Sequence, residues 1–186
     1  MPATDLDIVD VTIRPEHFDA ATIWADGNVD LLSGRLGEIA YCRFTRLDPM
    51  RALNWKQPWA HNIDLNVRGN VGVDVKTSRH AFATKVVWPL SRARGAHWPS
   101  TLSADLMVLA RFAEPDGSKI SLMGLCTRSA FLAYFMRSNG NDGLVAGTPY
   151  LHRTHTHFHP MASHDFIVSR LGRRIAEDGK QQRRRA

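Results

Sequence analysis

The chain has 186 residues, 44% of them hydrophobic, which is enough for one well-packed domain and short for two. Lys and Arg total 24 against 18 Asp plus Glu, and the resulting formal charge of +6 favours polyanionic partners, nucleic acid among them. Cys42 and Cys126 match no redox or metal-ligand spacing, no apolar run reaches membrane-spanning length, and the acidic start "MPATDLDIVD" lacks a secretion signal, so the expectation is a reduced, cytoplasmic protein.

In chain order, residues 1–27 are expected as an N-terminal extension, residues 28–178 as the folded domain and residues 179–186 as a basic tail. Residues 28–47 predict a helix: Val29, Leu32, Leu36, Ile39, Ala40, Phe44 and Leu47 recur at three- and four-residue spacing, Asn28 is a suitable cap, and Asp48-Pro49 ends the run. Strands follow around 61–67 and 71–78, then a loop from 79 to 100. The segments "ADLMVLARF" and "KISLMGLC" flank the turn "EPDGS", and their nearly continuous apolar character predicts central strands covered on both faces. A helix is expected near "SAFLAYFM", and another over "HDFIVSRLGRRIAED", capped by Ser163 and stopped by Gly179. One helix, a strand meander and closing helices make a single α/β domain with a central mixed sheet flanked by helices.

The hairpin "NIDLNVRGNVGVDVKTSR" carries the chemistry. With Arg68, Gly69 and Asn70 as its turn, Val67 pairs with Val71 and Asp64 falls opposite Asp74, while Lys76 shares their face. Ile63, Leu65, Val67, Val71, Val73 and Val75 fill the other face. Directly opposed like charges are destabilising unless a positive group sits between them, and a divalent cation such as Mg²⁺, which takes a few carboxylate oxygens, suits that position. Lys76 would then stand beside it, able to direct or deprotonate a water or to steady charge on a phosphate. The plainer reading is the solvated face of an edge hairpin.

These residues resemble the PD-(D/E)XK phosphodiesterase superfamily, which includes restriction endonucleases, recombination exonucleases and Holliday-junction resolvases. In that superfamily an acidic residue on one strand and a D/E-x-K triplet on the next surround the metal, often with a glutamate from the preceding helix. Asp64 matches the first acid, Asp74 and Lys76 match the triplet, and Glu38 in "GRLGEIAY" matches the helical glutamate, whereas Ile63 stands where the name-giving proline would be. The likeness spans roughly Asn28 to Tyr134. It implies a restriction-endonuclease-like core and a Mg²⁺-dependent deoxyribonuclease, with Mn²⁺ as a substitute. It further implies metal ligation by Asp64, Asp74 and Glu38, a catalytic Lys76, DNA as partner, and a homodimer where two strands are cut. On a helical wheel Glu38 lies opposite the main apolar stripe, beside Leu31, Gly34, Tyr41 and Cys42.

Two further segments bear on function. The 77–100 loop interleaves Arg79, Lys85, Arg92 and Arg94 with Trp88, cations for phosphates and an aromatic face for bases. In "LHRTHTHFHP", His155, His157 and His159 alternate and on a strand would share a face able to bind Zn²⁺ or another transition metal, although no carboxylate with convincing spacing accompanies them; His152 or Arg153 could instead meet phosphate. The alternative to a nuclease is a non-catalytic nucleic-acid-binding or assembly protein with the same fold.

Overall fold

A computed structural model describes residues 8–56, 63–80, 84–87, 103–141 and 147–185. Strand β1 (Val9–Thr12) leads into helix α1 (Pro15–Ala25), whose proline sits in the first turn, where its missing N–H costs nothing. After the left-handed residues Asp26 and Gly27, Asn28 caps α2 (Val29–Phe44), its side-chain oxygen accepting from the N–H groups of Asp30 and Leu31. The residues expected as an N-terminal extension thus supply, from Ile8 onward, a sheet strand and a helix packed on α2.

Helix α2 stops three residues before the expected Leu47. Arg46 turns left-handed, with φ 60°, and the Leu47 N–H closes back on the Cys42 carbonyl at 2.8 Å, satisfying carbonyls that a further turn would otherwise have used. Asp48-Pro49 then opens a new short helix, α3 (Pro49–Ala52), with Asp48 accepting from the Met50 N–H.

Strands β2 (Leu65–Val67), β3 (Val71–Ser78), β4 (Lys85–Val87), β5 (Leu106–Phe112) and β6 (Lys119–Thr127) follow, then α4 (Arg128–Tyr134), β7 (Met136–Arg137), β8 (Pro149–His152) and the long α5 (His164–Arg185). The main sheet has the order β1-β6-β5-β3-β2, mixed because β3 and β5 run parallel while its other pairs are antiparallel; β4-β8-β7 form a smaller antiparallel sheet. The molecule is an α/β domain, as the element pattern predicts.

The inner strands are covered on both faces. Leu106, Val108 and Ala110 join α2, β3 and the first turns of α5 in one core, while Met107 and Leu109 point the other way into a second cluster with Phe131, Leu151 and Phe158. That two-sided burial is why β5 and β6 read as apolar runs without alternation.

Helix α5 differs from its expected bounds at both ends. Ser163 belongs to a 3₁₀ turn, Met161–Ser163, and Gly179 lies inside the helix, where the roughly 1 kcal/mol cost of glycine is outweighed by good helix formers around it. The helix is anchored where buried His164 pairs with the Tyr41 hydroxyl at 2.7 Å. It crosses the β2–β3 turn so closely that a β-carbon on Gly69 would come within 2.9 Å of the Gly172 α-carbon.

Candidate active site on the β2–β3 hairpin

The hairpin register follows the sequence where its turn dictates it. Gly69 and Asn70 take positive φ of 78° and 58°, Val67 pairs with Val71, and Leu65 pairs with Val73. Beyond Leu65 the ladder ends, and Asp64, expected directly opposite Asp74, sits at a bend. Its N–H donates to the Val73 carbonyl at 2.8 Å, and its Oδ2 accepts the Val75 N–H at 2.7 Å. The carboxylate therefore takes the place of the next backbone acceptor along β3, which keeps two like charges from facing each other across a ladder.

Asp74 is 1% exposed, because β3 lies between β2 and β5 instead of at a sheet edge. Its Oδ1 meets the Lys76 ammonium at 2.7 Å; its Oδ2 is buried with no hydrogen-bond partner among the described residues. An unpartnered buried carboxylate oxygen is costly, so it marks a place for a proton or a cation.

Glu38 reaches this group because α2 lies unusually close to β3. Gly37 faces Thr77, and a methyl at position 37 would overlap the Thr77 hydroxyl. Far from pointing to solvent, the Glu38 side chain is 13% exposed and its Oε2 pairs with Arg35 at 2.7 Å. Arg35 is itself buried, its guanidinium 3.9 Å from the Trp24 ring centre and 4.9 Å from that of Trp55, with one arm donating to the Asn54 carbonyl at 2.9 Å. Rings and ion pair together fix the direction from which Arg35 holds the carboxylate.

Glu38, Asp64, Asp74 and Lys76 lie within electrostatic reach of one another. Burial, reinforced by Asp74 and opposed by Arg35 and Lys76, pushes Glu38 up to about 7. Asp64 is raised well above the usual carboxylate range, first by burial and then by Glu38 and Asp74. For Lys76 burial acts downward, but Asp74, Asp64 and Glu38 outweigh it and the net shift is upward, so its amine is held as an ammonium. The donors suit a hard divalent cation: three carboxyl groups short of water and one oxygen with no partner. Among the described residues, however, no group of three or more His, Cys, Asp or Glu is drawn together closely enough to hold a metal ion, since each carboxylate also serves a partner from the chain.

The other expected residues lie elsewhere. Arg79 pairs with exposed Asp30 at 3.0 Å, and Lys85 sits 4.6 Å over the Tyr150 ring on the smaller sheet. Trp88, Arg92 and Arg94 fall outside the described residues. His155 and His157 occupy turns after β8, while His159 makes an isolated bridge to Leu125, so the three do not share a strand face. Sequence reasoning missed Arg35. Its spacing of three from Glu38 was the available signal, but the two tryptophans that bury it come from α1 and from the segment after α3.

The site is thus a buried carboxylate cluster around a lysine, gathered at β3 of a mixed sheet from α2, the bend before β2 and β3 itself. Comparisons of the chain with protein families, curated proteins and solved structures find no match. No helix among the described residues is long and apolar enough to cross a membrane.

Proposed function

We propose that the protein is a cytoplasmic, Mg²⁺-dependent nuclease of the PD-(D/E)XK type that hydrolyses DNA phosphodiester bonds at Asp64, Asp74 and Lys76, with Glu38 completing the site. The observation that carries this reading is the convergence of three desolvated carboxyl groups and one ammonium on β3, with Asp74 Oδ2 left unpartnered. Asp64, Asp74 and Glu38 would hold the cation, which when bound neutralises phosphate charge and acidifies water. Lys76, kept protonated by its acidic neighbours, is suited to the charge that grows on the phosphate oxygens and not to the role of a base. Arg35 orients Glu38 from behind.

The second reading, a non-catalytic nucleic-acid-binding or assembly protein, is favoured by the partners that the chain itself provides: Lys76 for Asp74 and Arg35 for Glu38. Nuclease assays on plasmid, linear duplex and single-stranded DNA with Mg²⁺, Mn²⁺ or EDTA separate the two. Lys76→Ala is expected to lower cleavage on the order of a hundredfold or more while sparing DNA binding. Asp64→Ala and Asp74→Ala are expected to lose both cleavage and any Mg²⁺-induced rise in melting temperature. Wild-type-like cleavage by purified Lys76→Ala would sink the nuclease reading.

A further inference from the structure

Helix α4, the 155–159 turn and α5 enclose a cleft of about 1030 Å³ that none of the acidic cluster lines. Clefts for small ligands span roughly 300–1,000 Å³, so this one is at the upper limit for a single small molecule and suits part of a polymer. One wall is aromatic. Tyr134 stacks on His157 at 4.3 Å with the rings 7° from parallel, His155 packs against both at 5.1 Å from Tyr134 and 5.5 Å from His157, and Tyr134 still leaves 45% of its surface open. Phe166, the first aromatic residue of α5, is 68% exposed at the same cleft.

The facing wall is cationic. Arg170, Arg173 and Arg174 lie on exposed turns of α5 and line the cleft, and among the described residues no carboxylate comes within ion-pair distance of any of the three. Glu177 and Asp178, one turn further along α5, also line the cleft, so the positive charge that this helix brings to the cleft lies on the turns before them. Planar rings on one side and forked guanidinium groups on the other match a strand whose bases are free to stack and whose phosphates follow at regular intervals. A blunt duplex keeps its bases stacked inside and offers such a wall only phosphates.

We propose that this cleft is a second nucleic-acid-binding surface that takes an unpaired strand, with bases against Tyr134 and His157 and phosphates on Arg170, Arg173 and Arg174. It lies apart from the carboxylate cluster, and binding there needs neither a metal nor cleavage.

The test is fluorescence anisotropy of the full chain in EDTA with short oligo-dT, oligo-rU and blunt duplex probes, and with polyglutamate as competitor. Both single strands are expected to bind more tightly than the duplex. Tyr134→Ala is expected to weaken them by about tenfold, and Tyr134→Phe, which keeps the ring, to retain the affinity. Replacing Arg170, Arg173 and Arg174 together with Ser is expected to flatten the slope of log affinity against log salt by about two. All these side chains are exposed, and unchanged melting temperatures check that the variants fold. Equal affinity for duplex and single strand, or single-strand binding untouched by Tyr134→Ala, overturns the proposal. So does efficient displacement of the oligonucleotide by polyglutamate, which would make the cleft a site for an acidic protein. Because no cleavage is read, failure of the nuclease reading leaves this result standing, and the reverse holds too.

Discussion

Glu38 gives up most of its water when α2 packs on β3, and its carboxyl is pushed up from 4.5 to about 7 chiefly by that burial. Between those two values the folded chain binds more protons than the unfolded one, so the group's contribution is complete below about pH 4.5 and is lost as pH rises to 7. Asp64, raised in the same direction, adds to the trend. In EDTA the protein is therefore expected to melt higher near pH 5 than near pH 7.5 for this reason, and Glu38→Gln to flatten the profile by on the order of 3 kcal/mol at most. Superimposable pH profiles for wild type and Glu38→Gln would show that the carboxyl is not desolvated as described. Strand alternation and a turn glycine made it legible in the sequence that Asp74 and Lys76 share one face, whereas Glu38 was named only through the family resemblance. The bend at Asp64 was not legible: it depends on a Val75 N–H left without a strand partner where β2 ends.

At the scale of elements, the packing of α2 on β3 decides whether Glu38 reaches the hairpin. Inside a helix Gly37→Ala ordinarily stabilises by up to about 1 kcal/mol, yet here the methyl would overlap Thr77. The expected outcome is a net destabilisation of about 1–3 kcal/mol in thermal or urea melts, with partial recovery when Thr77→Ala removes the hydroxyl. A more stable Gly37→Ala protein would mean that the two elements do not pack so closely. Apolar patterning located α2, β3, β5, β6, α4 and most of α5, by spacing where one face is buried and by continuous apolar runs in β5 and β6, where both are. It could not foresee that β3 and β5 pair in parallel, since the long connection between them carries no such pattern. Nor could it foresee the Arg35 cage, assembled by residues from two separate segments, α1 and the stretch after α3.

Over the whole molecule, three buried carboxyl groups gather at the hairpin while much of the positive excess lies along α5, whose residues 176–183 are exposed apart from Gly179. Deleting Gln181 to Ala186 removes three arginines and none of the described core, so the melting temperature is expected to stay within a degree or two on the scale of a surface change. Nucleic-acid affinity should fall, and its salt slope should flatten by up to about 0.7–0.9 for each phosphate that is no longer neutralised. Identical slopes for the full and shortened chains would exclude the end of α5 as a phosphate-binding arm. The point where this helix meets the acidic hairpin is a pair of glycines, 69 and 172, with backbones nearly touching. A β-carbon at either would press on the α-carbon of the other, so the two positions act as a single constraint despite their separation in the chain. In any related protein that keeps this crossing both should stay glycine, and where either carries a side chain the helix must have moved off the turn.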